Sequence, residues 1–328
     1  MALWEATRPN IFPIYKKQPL MLQSSHIKHI ARKLGFDACG IATARRVDDD
    51  ATEHYQAWLS QGKNGCMDWA ARNGDVRENP ELLLDGARSV IVVAMNYYPQ
   101  VFQSSTAAQV AYYAYGRDYH EVIKKRLWEM AQIIEQETGA QSRACVDSAP
   151  LRERYWAQRA GVGFTGLNNQ LIIPGKGSFF FLGVLLTTLE LEPDEPCRQQ
   201  CMQCHACEKA CPSGALRCGE AVDARRCLSC LTIEHKGELP EWVGKVIGNR
   251  VYGCDECQKC CPHNRNAVGN STPEFQPKPQ LLSLTTGDIL AMTQEEFSQV
   301  FSHSAIKRAK LTGLRRNARL IEENLDHE

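Results

Sequence analysis

Cys201-Met202-Gln203-Cys204-His205-Ala206-Cys207-Glu208-Lys209-Ala210-Cys211-Pro212, and further on Cys254-Asp255-Glu256-Cys257-Gln258-Lys259-Cys260-Cys261-Pro262, decide how this chain reads. The first stretch spells Cys-x-x-Cys-x-x-Cys-x-x-x-Cys-Pro, and the second contains Cys-x-x-Cys-x-x-x-Cys-Pro. This is the spacing that holds two 4Fe-4S clusters, in which three close thiolates grip one cluster and the fourth, before proline, reaches the other. The expected chemistry is electron transfer. Structural zinc also uses Cys-x-x-Cys pairs, but it needs two pairs and no proline. A disulfide framework is disfavoured, because no amino-terminal signal peptide is evident and dense cysteine in a cytosolic protein points to metal or redox chemistry.

Two clusters need eight thiolates, and the segment from Cys197 to Cys261 offers twelve cysteines. Crossing the pre-proline cysteines assigns Cys201, Cys204, Cys207 and Cys261 to one cluster. The other takes Cys211, Cys254 and Cys257 and lacks one ligand, for which Cys227 and Cys230 compete, with Cys218 a weaker contender. Cys197, Cys260 and the losers are then free thiols, small buried hydrophobes by default. Pro212 and Pro262 fix φ directly after a ligand and start a short helix or turn.

Working outward, 328 residues leave room for about two domains. Apolar residues make up 43%, enough for a real core, and the formal net charge is zero, so overall charge argues for no partner. The longest apolar stretch, Phe179 to Leu189, is too short for a bilayer, which takes about 20 residues. Arg45-Arg46 is followed by Asp48, Asp49 and Asp50 instead of an apolar run, so it is no twin-arginine signal. A soluble, cytoplasmic protein without membrane contact is expected.

Up to about residue 191 helix and strand alternate. Ser24 and Ser25 are suited to cap a helix through Leu34 that stops at Gly35, with a strand over Ala38 to Ala42 next. Ser89 to Tyr97 is β-branched and reads as a buried strand. Val122, Ile123, Leu127, Met130, Ala131 and Ile134 form the stripe of an amphipathic helix over His120 to Glu137, ended by Gly139. Strands at Arg143 to Asp147 and Phe179 to Leu189 flank a helix near Leu151 to Ala160. The proline-rich Glu192 to Pro196 marks a linker, and the cysteine segment beyond it has too few apolar residues to fold without metal. A second proline-rich stretch, Thr272 to Pro279, leads into two short helices, the first with a Thr293/Glu296 capping box. The expected division is an extension (1–23), an α/β catalytic domain (24–191), a two-cluster domain (192–270) and a helical carboxy-terminal segment (271–328) of possible tRNA contact.

The GxGxxG string at Gly161 to Gly166 follows an expected helix instead of a strand, so it is no dinucleotide fingerprint, and no Walker loop is present to take the electrons. However, Tyr115 to His120 (YGRDYH), Val146 to Pro150 (VDSAP), Gly177 to Gly183 (GSFFFLG), Asp223 to Glu234 (DARRCLSCLTIE) and Gly248 to Asn264 (GNRVYGCDECQKCCPHN) closely resemble the epoxyqueuosine reductase family, in order, from about residue 24 to about 320. The resemblance implies an α+β protein: a nitroreductase-like domain holding cobalamin, a ferredoxin-like module with two 4Fe-4S clusters, and short carboxy-terminal helices. The implied reaction is reduction of epoxyqueuosine to queuosine at the wobble position of tRNA, with electrons from an external low-potential donor. It also implies Cys227 as the eighth ligand, leaving Cys230 and Cys260 without a required role. Asp147 matches the family's proton donor, a task a carboxyl group can perform if an apolar setting keeps it protonated. A lone aspartate before a helix is otherwise an ordinary N-cap. Arg72, Asp147, Ser229 and Asp255 fall at cofactor-facing positions, each with a surface or capping alternative. No histidine sits in an Asp-x-His-x-x-Gly motif, so cobalamin is expected without a histidine ligand.

The chain departs from the family at Leu167, where relatives carry a basic residue, and at Val184, where they carry glutamate. It also ends without the helical-repeat extension of longer members. Lys307, Arg308, Lys310, Arg315, Arg316 and Arg319 form an acid-free basic stretch, and Lys124, Lys125 and Arg126 a second cluster. Beside a tRNA-modifying family these become a phosphate track, where each would otherwise be a solvated helix face. Two rival functions stand against this one. A corrinoid reductive dehalogenase shares the plan but typically carries a twin-arginine signal, and a plain electron-transfer protein would not need VDSAP or about 190 residues ahead of its clusters.

Overall fold

The computed structural model describes residues 23–217 and 220–325; Cys218 and most of the 1–23 extension lie outside them. The described strands are β1 (Ala38–Thr43), β2 (Ser89–Asn96), β3 (Gln109–Val110), β4 (Ser142–Cys145), β5 (Phe164–Thr165), β6 (Leu171–Ile172), β7 (Phe180–Thr187) and β8 (Arg250–Tyr252). The main sheet has the order β1-β2-β7-β4 with every pair antiparallel. Its centre is β2, whose β-branched run is buried on both faces, as its sequence predicts.

Alternation in β2 divides the core. Ile91, Val93 and Met95 pack with the helices Ser24–Lys33 and Tyr119–Thr138, while Val90, Val92 and Ala94 pack with Leu151, Trp156 and Ala157 around the helix Glu153–Arg159. Helix Tyr119–Thr138 follows the apolar stripe and ends at Gly139 in the left-handed region. It lies close to the sheet because Gly183 has no side chain: a Cβ there would stand 2.6 Å from Ile123 Cγ2 and 3.0 Å from Leu127 Cδ1. Val184, one departure from the family pattern, is fully buried in the opposite cluster.

Some sequence expectations change. The first helix has Gln23 as its N-cap and no side-chain cap bond; Ser24 Oγ instead donates to the Glu192 carbonyl at 2.7 Å. The proline-rich segment at 192–196 is pinned down: Asp194 pairs with Lys28 and accepts the Ile41 N–H at 2.9 Å. The cysteine segment is not poor in apolar residues throughout. Leu228, Leu231, Val243, Ile247, Val251 and Tyr252 form a second core with Val110 and Tyr115 from ahead of the linker and with Leu311, Leu314 and Ile321 near the carboxy terminus. There β3 pairs in parallel with β8. Thr293 and Glu296 make the expected reciprocal capping box, and Thr285 with Asp288 makes a second. Beyond them runs a helix over Lys310–Leu325.

Candidate active site and metal centres

Strand β4 stops at Cys145 because Asp147 turns into the left-handed region at φ +43°, which aspartate tolerates better than most residues. The following helix begins only at Glu153, with Arg152 as its N-cap, so Asp147 caps nothing. Instead Glu153 Oε1 accepts the Asp147 N–H at 2.7 Å and holds the turn. The Asp147 side chain is 54% exposed.

Against that carboxylate stands His120, one residue inside the helix Tyr119–Thr138. Its Nε2 lies 3.1 Å from Asp147 Oδ2 and its Nδ1 lies 2.7 Å from Asp118 Oδ1. Asp118 is also the helix N-cap, accepting the His120 N–H at 2.9 Å, so the cap fixes the carboxylate that fixes the ring. Tyr119 stacks its ring between His120 (centroids 4.1 Å apart) and Phe181 (4.4 Å).

Electrostatics revise the expected protonation of Asp147. Burial raises its pKa, but the His120 hydrogen bond and charge outweigh that and leave it lowered, so the group is a carboxylate at neutral pH. Burial likewise opposes charge on His120, yet its bonds to Asp118 and Asp147 lift it to about 9. Burial, then the Asp147 charge, pushes Glu153 up to about 8. The proton at this site rests on His120 and Glu153. The resemblance through YGRDYH assigns no role to His120 or Asp118, and nothing local marks Glu153; an Asp-x-His pair at a helix start is the signal the sequence carries.

The thiols segregate into two groups. Cys201, Cys204, Cys207 and Cys261 line one cavity together with Leu167 and His263. Cys227 and Cys257 both feel Cys211, and Cys257 also feels Cys254 and Cys227. The described cysteines are all free thiols. Backbone donors surround the second group: the Ala215 N–H reaches Cys211 Sγ at 3.3 Å, and amides of Ser229 and Cys230 serve Cys227. His263 Nε2 is buried without a hydrogen-bond partner, an unused group beside the first cavity. Among the described residues no three His, Cys, Asp or Glu side chains close to the spacing of a single ion's shell. Thiols ringed around a cavity, with amide donors behind them, suit a cluster. Cys230 is spent elsewhere, its Sγ 3.4 Å from Cys66 Sγ.

Of the remaining expected residues, Arg72 is exposed after a short 3-10 turn, and Ser229 is half-buried in the helix Leu228–Ile233. Their segments meet through the Cys66–Cys230 contact, and Arg308, paired with Glu234 at 2.8 Å, brings the same helix within electrostatic reach of Asp147. Asp255 is buried, accepts the Tyr112 N–H at 2.7 Å, and is raised to about 6 by burial.

Three of the six basic residues of the stretch bond within the fold, while Lys307, Lys310 and Arg319 are exposed. Arg308 pairs with Glu234, Arg315 donates to the Met292 carbonyl, and Arg316 donates to the carbonyls of His235, Gly237 and Leu231. Arg126 likewise serves the Leu34 carbonyl and Glu274. Lys124 and Lys125 are exposed and border a shallow cleft with Trp128, which is 59% exposed. No helix among the described residues is long and apolar enough to cross a membrane.

Residues 77–148 match the family model described as epoxyqueuosine reductase QueG, DUF1730, and residues 200–264 the one described as 4Fe-4S double cluster binding domain. Epoxyqueuosine reductase of Cellulophaga algicola is 40% identical over 295 residues, covering 90% of this chain and 96% of that one. A crystal structure of epoxyqueuosine reductase with an epoxyqueuosine-modified tRNA-Tyr stem loop matches with a TM-score of 0.82 at 30% identity, covering 90% of this chain and 80% of that one. The Bacillus subtilis enzyme, solved with its aspartate catalytic loop swung out of the active site, matches at 0.84 and 29% identity, covering 90% and 80%.

Proposed function

The chain belongs to the epoxyqueuosine reductase family and is an oxidoreductase, and on that premise we propose that it reduces epoxyqueuosine to queuosine at the wobble position of tRNA, with Asp147 delivering the proton to the departing oxygen. The observation that carries this reading is the pairing of Asp147 with a charged His120 on a turn that presents the carboxylate outward. An aspartate-bearing loop that swings in the Bacillus subtilis relative supports it. Cys201, Cys204, Cys207 and Cys261 would hold one 4Fe-4S cluster, and Cys211, Cys227, Cys254 and Cys257 the other. The crossed ligand sets bring the two close enough to pass electrons.

Cobalamin would be held by Arg72, Ser229, Asp147 and Asp255, and when bound it would supply a cobalt centre that accepts and passes on single electrons. The Cys66–Cys230 contact joins the segments of Arg72 and Ser229, and Arg308 beside Glu234 lies within electrostatic reach of Asp147, which supports that set. Both ring nitrogens of His120 are taken, so it is unavailable as a cobalt ligand. The chain's own work is then to hold the nucleoside oxygen against Asp147 and move a proton to it. Anaerobic reconstitution with iron, sulfide and cobalamin tests the assignment. Queuosine should appear in epoxyqueuosine-containing tRNA when a low-potential reductant is supplied. Equal conversion with cobalamin omitted would remove the cofactor from the reading, and no conversion under any combination would remove the function.

A further inference from the structure

Removing the epoxide oxygen as water breaks two C–O bonds, forms one C=C bond, and consumes two electrons and two protons. The electrons come through the clusters from the external low-potential donor. Both protons end on the same oxygen, and Asp147 has one carboxyl group.

We propose that His120, held by Asp118, is the proton store of this site: it passes its Nε2 proton to the Asp147 carboxylate, which carries that proton to the substrate oxygen, and the ring then reloads from solvent for the second transfer. The proposal rests on the reading of Asp147 as donor. The geometry is a continuous chain, Asp118 Oδ1 to Nδ1 at 2.7 Å and Nε2 to Asp147 Oδ2 at 3.1 Å. A ring donating from both nitrogens must be charged, and two carboxylates keep it so. The His120 side chain is 34% exposed, enough to exchange with water. Its orientation is fixed by Tyr119 stacked against it and by the Asp118 N-cap bonded to its Nδ1.

The groups facing the pair set the direction of its pH response. Asp118, Asp147 and Glu153 are acidic; Arg154 and Arg308 bring positive charge toward Asp147; Tyr119 bonds Asp147, and Tyr113 lies within reach of it. The acids touching the ring dominate, so His120 stays charged until about pH 9. Below that value the resting site holds a transferable proton; above it the store is empty.

Three variants of the reconstituted holoenzyme test this: His120→Gln, Asp118→Asn and Asp147→Asn. Asparagine caps helices about as well as aspartate, so Asp118→Asn keeps the helix start and removes only the charge. Two readouts are paired. One is the titration of the His120 imidazole by nitrogen NMR of histidine-labelled protein, assigned by its loss in His120→Gln. The other is the pH dependence of single-turnover conversion of an epoxyqueuosine stem loop. In Asp118→Asn the ring should titrate at lower pH, and the alkaline limb of the rate should move with it, while stem-loop affinity and iron content stay as in wild type. His120→Gln should slow conversion about 10²-fold, the scale of a lost acid–base group. A ring titration that moves without moving the limb, or a wild-type rate and limb in His120→Gln, would overturn the proposal. If Asp147→Asn is inactive while His120→Gln is unchanged, this inference alone fails. If Asp147→Asn is itself fully active, the donor reading fails beneath it.

Discussion

Asp147 occupies a left-handed backbone conformation held by one Glu153 hydrogen bond, and a histidine fixed by a second aspartate faces it. The role proposed for it comes from the sequence only by resemblance, because in isolation an aspartate ahead of a helix reads as a cap. His120, Asp118 and Glu153 were not found, since their roles arise from contacts between segments up to 35 positions apart. The charged pair also ties stability to pH. His120 titrates higher in the fold than its ordinary value, so the contribution of its charge is full just below the unfolded value of about 6.5 and is lost as pH rises from there through about 9. The midpoint of thermal unfolding should therefore be less sensitive to pH between 7 and 9 in His120→Gln than in wild type. Cys201, Cys204, Cys207 and Cys261 line one cavity, and Cys230, one position that spacing left open, has Cys66 as its neighbour. Reconstituted wild type should hold about eight irons, four per cluster. Cys230→Ala and Cys260→Ala should retain them, and Cys227→Ala should lose or damage one cluster; iron loss from Cys230→Ala alone would reverse the assignment.

At the scale of elements, period and punctuation served well where local chemistry decides. The β-branched run of β2, the stripe on the helix Tyr119–Thr138 and the Thr293 capping box are all where the residues predict them. Ser24 failed as a cap because a distant carbonyl, that of Glu192, competes for its hydroxyl. Asn317 carried no local signal at all. It is fully buried in the helix Lys310–Leu325, and its Nδ2 donates to the carbonyls of Thr232 and Val251, both at 2.9 Å, tying that helix to the cluster-bearing helix and to β8. Asn317→Leu should cost about 1–3 kcal/mol for each carbonyl left without a partner, read as a lower thermal midpoint and easier iron loss. A midpoint equal to wild type would show that the bonds contribute little. Gly183→Ala should destabilise by about 1–3 kcal/mol through overpacking against Ile123, with the helix Tyr119–Thr138, and so His120, displaced from the sheet.

The whole molecule has two cores that share segments across the proline-rich linker, which is why composition along the chain understated how much apolar surface the cluster region buries. Charge runs misled for a related reason: Arg308, Arg315 and Arg316 look like a phosphate track in sequence but donate within the fold. Lys124 and Lys125, exposed beside Trp128, are placed to meet phosphates, as are the exposed Lys307, Lys310 and Arg319. Changing both lysines to glutamine should weaken stem-loop binding and flatten its dependence on log salt by roughly one counterion per contact, whereas Arg316→Gln should lower thermal stability and leave the slope alone. An unchanged slope in the lysine variant would return that face to a solvated surface. The central claim is that this chain reduces epoxyqueuosine in tRNA with Asp147 as the acid, and nucleoside mass spectrometry after a single turnover under strong reductant tests it most directly. Wild type should convert epoxyqueuosine to queuosine, and Asp147→Asn, loaded with the same iron and cobalamin and bound to the same stem loop, should be slower by on the order of 10²-fold or more. Near-normal conversion by Asp147→Asn, or none by wild type, would contradict it.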